Sequence, residues 1–169
     1  MAGWVLANPL QRQARVARGD TARCESCAVA RSLGVLGDRW TLLILRESFY
    51  GRSRFAEFRA ALDISSDVLS RRLSLLVDGG VLAKVPYRVP GQRVRFAYLL
   101  THAGHELHHV LGALQQWGDH YLPRPGGPTT QRRSGRTGRP LRVAFLDDLG
   151  REVEPENVVA HRTVHWVLP

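Results

Sequence analysis

Cys24 and Cys27 flank Glu25 and Ser26, a C-x-x-C just ahead of an amphipathic run that begins at Ala28. A thiol at a helix start meets unpaired backbone N–H groups that favour its thiolate; Arg23 and Arg31 add to that pull and Glu25 opposes it. Such a pair offers oxidant or electrophile sensing. Two chains could also pool four thiolates around zinc, but no sequence-local histidine helps, so that site is strained. Unreactive interface cysteines are the plainer alternative, since unpaired Cys is often simply buried. His102, His105, His108 and His109 crowd a second stretch, with His105 and His109 at the i, i+4 spacing of a metal pair. Glu106 is near, yet no acid or cysteine completes a set, so surface histidines are expected and no metal. Trp40 and Trp117 are candidates to line an apolar cavity that stacks a flat ligand, against the alternative of core packing.

Catalysis finds no support. G-x-G-x-x-G, G-x-S-x-G, H-E-x-x-H and the P-loop are all missing, and no carboxylate pair is spaced for acid–base work. No enzyme and no cofactor are expected. The charge is more telling. The 169 residues carry 24 Lys+Arg against 15 Asp+Glu, and Lys84 is the one lysine. Arginine supplies the bidentate fork that suits phosphate and guanine. Residues 1–122 hold 16 basic against 10 acidic side chains, residues 124–142 hold six arginines and no acid, and residues 143–169 are net acidic. A basic domain, a basic linker and an acidic tail point to a polyanionic partner. No apolar run approaches the roughly 18 residues of a membrane span. Two cysteines make no disulfide framework and the start has no secretory pattern, so a soluble cytoplasmic protein without membrane contact is expected.

The elements that must position these groups follow from periodicity. In the first twenty residues Leu6, Leu10, Ala14 and Ala17 alternate with Arg12, Arg15 and Arg18, either a short helix or a frayed arm. Val29, Leu33 and Leu36 mark a helix closed by Gly37. Asp38 caps a buried helix over residues 40–50, and Ser53 is the expected cap of a third helix with Phe55 and Phe58 inward. Ser65 or Ser66 caps a fourth, with Leu69, Leu73, Leu76 and Val77 inward and Gly79-Gly80 at its end. Residues 81–87 and 94–100 read as strands of a hairpin turning at Pro90-Gly91. Thr101 caps one long helix to about Tyr121. Residues 123–140 read as a disordered linker of Gly, Pro, Arg, Ser and Thr. Residues 141–169 read as a small β-rich extension, strands near 141–146, 158–159 and 163–168, too short to carry its own core.

Three helices, a hairpin and a further helix define a winged helix-turn-helix, mainly α with a β-hairpin wing in an α+β fold. Ser66–Asp78 is then the recognition helix. Its outward side shows Ser66, Asp67, Ser70, Arg71 and Ser74, small enough to let the axis approach the floor of the DNA major groove, with Arg72 flanking. Arg88, Arg93 and Arg95 cluster on or beside the wing, where with Arg54 and Arg72 they would meet phosphates.

The specific residues go further. Cys27 and the run Gly37-Asp38-Arg39-Trp40-Thr41-Leu42-Leu43-Ile44-Leu45-Arg46-Glu47 resemble the opening of the HxlR-type winged-helix regulators. So do Gly51, Arg54-Phe55-x-Glu57-Phe58, Ile64-Ser65, Val68-Leu69-Ser70-x-Arg72-Leu73 and Gly80-Val81-Leu82. Tyr87, Tyr98-x-Leu100-Thr101-x-x-Gly104 and Leu114-x-x-Trp117-Gly118 continue the match to residue 118. The resemblance implies a bacterial homodimer on an inverted-repeat operator, dimerising through its N-terminal and long C-terminal helices. It also implies a sensing role for a cysteine at the position of Cys27, as some relatives use. Three positions depart from the pattern. Ala28 stands where proline commonly follows the cysteine, Asp67 where a basic residue is common, and Ala97 where an acid is usual. An acid at position 67 can still accept from cytosine N4, which implies an altered operator.

The expected organisation is an arm at 1–23, a DNA-binding and dimerisation domain at 24–122, a linker at 123–140 and an extension at 141–169. The expected function is a regulator, a repressor by preference, that binds double-stranded DNA as a homodimer. A small-molecule effector or a thiol-reactive signal would release it. A winged-helix protein-interaction module, or a small-molecule-binding resistance protein using the dimer cavity, are the alternatives.

Overall fold

The computed structural model describes residues 27–91 and 93–161. The arm at 1–23, Cys24 and the β-rich run at 163–168 lie outside them. The described residues divide into two units, one ending at Leu111 and one starting at Gly112.

In the first unit, α1 (Ala28–Leu36) follows Cys27 and closes where the Gly37 N–H donates to the Leu33 carbonyl at 2.8 Å. No α1 residue is buried, although Val35 and Leu36 pack against the core. Asp38 caps α2 (Arg39–Phe49) as expected, its Oδ1 accepting from the Trp40 N–H at 2.9 Å. Leucine and isoleucine at helical spacing bring Ile44 and Leu45 fully inside. Gly51, at φ 86, turns the chain out of α2.

The cap of α3 (Phe55–Leu62) is Arg54 and not Ser53. Glu57 explains the shift: its Oε2 accepts from the backbone N–H of both Ser53 and Arg54 at 2.9 Å, which starts the helix one residue later than Ser53 alone would place it. Asp63, left-handed at φ 48, makes the tight turn into α4 (Ser66–Asp78), where Ser65 Oγ accepts from the Val68 N–H. That turn between α3 and α4 is the helix-turn-helix. Phe58, Ile64, Leu69, Leu73 and Leu76 close over Ile44 and Leu45, and Val81, Leu82 and Leu111 complete the core.

The chain then forms an antiparallel pair, β1 (Leu82–Tyr87) and β2 (Arg95–Leu100), in register from Leu82 opposite Leu100 to Tyr87 opposite Arg95. Arg54 bridges Ala97, and the Tyr98 N–H donates to the Ser53 carbonyl at 2.7 Å, so the segment before α3 lengthens the wing sheet by a short third edge. Thr101 caps the next helix as expected, accepting from the Gly104 N–H and donating to the Gly80 carbonyl.

That helix is two pieces, α5 (His102–Glu106) and α6 (His108–Tyr121), where one had been expected. Leu107, with ψ near 0 and its N–H turned to the Gly104 carbonyl, tucks against the core and breaks the regular ladder. Beside the break, the Phe49 ring stacks on His108 with centroids 3.8 Å apart and meets His105 edge-on at 6.3 Å.

In the second unit, residues 123–140 are hydrogen-bonded loop where disorder had been expected. Gln115 donates from Nε2 to the Thr130 carbonyl at 2.6 Å and accepts at Oε1 from Arg132, while Gln116 makes a reciprocal pair with the backbone of Val143. Gly112 permits this approach, since a Cβ there would come within 2.7 Å of Val143 Cγ2. Polar residues of α6, invisible as anchors in a hydrophobicity pattern, hold the segment. Beyond it, β3 (Phe145–Leu146) pairs with β4 (Glu152–Val153). The partner strand is therefore at 152–153 and not at 158–159. The turn between them at 147–150 is as expected, Asp147 Oδ1 accepting from the N–H groups of Leu149 and Arg151. The acidic tail meets the basic segment through a two-bond Arg142–Glu152 ion pair.

Candidate nucleic-acid interface

Helix α4 is divided cleanly by its own sequence. Leu69, Leu73 and Leu76 are fully buried, and Ser66, Asp67, Ser70, Arg71 and Ser74 are all exposed. The exposed set at 67, 70, 71 and 74 lies on one face by the 3.6-residue period. Asp67 sits in the first turn, where the helix macrodipole favours an anion, so it also stabilises the helix it would read from.

Arg72 lies elsewhere than the sequence suggested. It is half-buried, and its Nη2 donates to Asp38 Oδ2 at 2.8 Å, so this cation is held against the cap of α2. Arg54 remains exposed, but its guanidinium lies 4.8 Å over the Tyr87 ring and 3.8 Å from Glu57, which fixes it at the base of the wing. Arg88 and Arg93 occupy the loop between β1 and β2, Arg95 opens β2, and all three are exposed. Lys84 Nζ sits 4.3 Å over Phe96 on the same hairpin.

Two further groups of arginines escaped the sequence reading. Arg59 of α3 is exposed, with Nη1 3.5 Å from Ser66 Oγ at the start of α4. Arg46 and Arg52 converge on the buried carboxylate of Glu47, Arg46 through Nε at 2.8 Å and Nη2 at 2.6 Å, Arg52 through Nη1 on the other oxygen. Glu47 is thereby satisfied inside the core while both guanidinium groups stay part-exposed. The adjacency of Arg46 and Glu47 was visible in the sequence; that the acid would be the buried member was not. Glu57 has its pKa lowered, first by the backbone N–H of Ser53, then by that of Arg54, with the charges of Arg54 and Arg52 adding to the effect.

Cys27 is exposed and is the N-cap of α1 without a side-chain bond to the helix backbone. Cys24 lies outside the described residues. Trp40 is half-buried against the core with Arg39 4.5 Å over its ring. Trp117 belongs to the second unit, 54% exposed, with Tyr121 beside it at 5.4 Å between centroids. Among the described residues no group of three or more His, Cys, Asp or Glu side chains could hold a metal ion.

A helix-turn-helix whose second helix shows a small polar and basic face, beside a basic hairpin, defines a winged-helix DNA-binding protein. The chain belongs to the HxlR-like helix-turn-helix family, whose model matches residues 35–125. It is 41% identical over 137 residues to an HTH-type transcriptional regulator of Mycobacterium tuberculosis, covering 80% of this chain and 85% of the relative. A solved structure, the candidate transcription factor PA1607, superposes with TM-score 0.71 at 34% identity over 81% of this chain and 95% of its own. The redox regulator HypR in its reduced form superposes with TM-score 0.51 at 25% identity, over 56% of this chain and 92% of its own. The protein is thus a transcriptional regulator with a helix-turn-helix DNA-binding fold, and its relatives are regulators, not enzymes. No helix among the described residues is long and apolar enough to cross a membrane.

Proposed function

We propose that the protein is a repressor that binds an inverted-repeat operator as a homodimer in the cytoplasm. The observation that carries this reading is the division of α4 into a buried leucine face and an exposed Ser66, Asp67, Ser70, Arg71 and Ser74 face beside the exposed Arg88, Arg93 and Arg95. The α4 face reads base edges; Arg54 and the wing arginines hold phosphates. Arg72 acts from behind, by holding α4 to Asp38.

Dimerisation is supported by apolar side chains that one chain leaves uncovered. Val29 and Leu33 of α1 are exposed, and so are Val110, Leu114, Trp117 and Tyr121, whose 4-3-4 spacing along α6 is that of a coiled-coil seam. A dimer aligns two recognition helices with two half-sites one DNA turn apart.

A thiol-reactive signal at Cys27 is the effector reading best supported, because Cys27 is exposed at the start of α1 and HypR is a redox regulator. A small aromatic ligand held near Trp40 or Trp117 is the second reading, supported by the exposure of Trp117. The test is binding to the DNA upstream of its own gene with and without diamide. Release from operator by diamide in the wild type, absent in Cys27→Ser, supports the thiol switch. Equal release in both removes it.

A further inference from the structure

Residues 133–140 form a small closed loop. Arg133 bridges Pro140, the Ser134 N–H donates to the Arg139 carbonyl at 2.8 Å, and the Gly138 N–H donates to the Ser134 carbonyl at 2.8 Å. Ser134 Oγ accepts from the N–H groups of Arg136 and Thr137, and Gly138 makes the return at φ 68. Every bond that shapes the loop uses backbone, Ser134, Thr137 or Arg133, whose guanidinium donates to the Gly138 carbonyl and to Gln131.

The arginines of this segment therefore divide. Arg132 serves Gln115, Arg142 serves Glu152, and Arg133 braces the loop itself. Arg136 at the tip and Arg139 beside it are exposed and have no ion pair among the described residues. A Cβ at Gly135 or Gly138 would meet nothing within 4 Å, so both glycines border open space. No acid occurs from residue 124 to 142. Two cations with no ion pair among the described residues therefore sit on a pre-ordered loop. That lowers the ordering cost of meeting an anion.

We propose that this loop is a second DNA contact, in which Arg136 and Arg139 grip backbone phosphates of the duplex flanking the operator. The inference rests on the reading of α4 as the operator-binding helix and adds a site outside the winged helix. The match to PA1607 and to the Mycobacterium tuberculosis regulator covers about four-fifths of this chain, against 56% for HypR, so the longer form recurs among relatives. Phosphate contacts carry no base preference, so the loop adds affinity and salt dependence and leaves sequence choice to α4.

The test uses the full chain and two duplexes from its upstream DNA: one that ends at the borders of the inverted repeat, and the same duplex extended by about ten base pairs on each side. The wild type is expected to bind the extended duplex more tightly. R136A/R139A loses about ten- to a hundredfold on it at 50 mM salt, with a salt slope lower by about two, and is unchanged on the short duplex. R136K/R139K restores most of the slope because the charges return. An unchanged melting temperature in both variants separates lost contacts from lost fold. Wild-type protein that binds the short duplex but gains nothing from the flanks overturns the inference alone, whereas protein that binds neither overturns the reading of α4. A double variant unchanged on the extended duplex but weakened on single-stranded RNA or an acidic protein assigns the loop to that partner and overturns it too.

Discussion

Arg72 of the recognition helix donates from Nη2 to Asp38 Oδ2 at 2.8 Å, while the other oxygen of the same carboxylate caps α2 at the Trp40 N–H. One side chain thus starts the helix that carries the core and anchors the helix proposed to face DNA. Asp38→Asn keeps a capping oxygen and loses the ion pair; Asp38→Ala loses both. With both partners about one-third exposed, the ion pair itself is worth little, and the cap about 1 kcal/mol. Denaturant midpoints should therefore fall modestly for Asp38→Ala and hardly for Asp38→Asn. Operator affinity should fall in both, because α4 loses its tie.

The Glu57 carboxylate at the start of α3 predicts acid sensitivity. Glu57 has a pKa lowered by the N–H groups of Ser53 and Arg54 and by nearby arginine charge. Its stabilisation is present above the ordinary carboxylate pKa near 4.5 and is lost as the pH falls through the lowered value. Glu57→Gln should flatten the acid limb of a stability–pH curve below about pH 4.5 and leave the curve at pH 7 nearly parallel. An acid limb equally steep in the variant would contradict the assignment.

Gly104 tests the packing beneath the wing. A Cβ there would come within 2.3 Å of the Val81 carbonyl oxygen, which already accepts from the backbone and side chain of Thr101, and 3.0 Å from Leu100 Cδ2. Backbone has to move, so Gly104→Ala should cost about 1–3 kcal/mol by urea unfolding, although alanine is the better helix former. Gly118→Ala, which meets nothing within 4 Å, is the control and should be neutral or stabilising.

The DNA face separates into two behaviours. Arg71→Ala should relax sequence preference at one operator position and cost about 1–3 kcal/mol there. Arg93→Ala should weaken all duplexes alike and lower the salt slope by about one. Selection of preferred sites from a random pool, with the salt dependence of affinity, distinguishes them.

Much of this architecture was legible in the sequence because apolar periodicity and polar caps agree. Leu69, Leu73 and Leu76 pointed inward, Asp38, Ser65 and Thr101 capped their helices, and Gly91 sits in the turn of the wing. What was missed depended on pairs distant in sequence. Arg72 looked like any surface arginine until Asp38, 34 residues earlier, came alongside it. Leu107 broke a helix whose pattern continued unbroken, because its side chain found the core. Residues 123–140 have the composition of a linker, and their order comes from Gln115 and Gln116, which no hydrophobic pattern marks.

The most direct test of the central claim is equilibrium binding of the full chain to its upstream intergenic DNA and to a scrambled duplex of equal length, each at 50 and 200 mM salt. A sequence-specific regulator should prefer the upstream DNA by about a thousandfold or more at both salts, while affinity for both duplexes falls steeply with salt. Equal affinity for the two duplexes at both salts would contradict it.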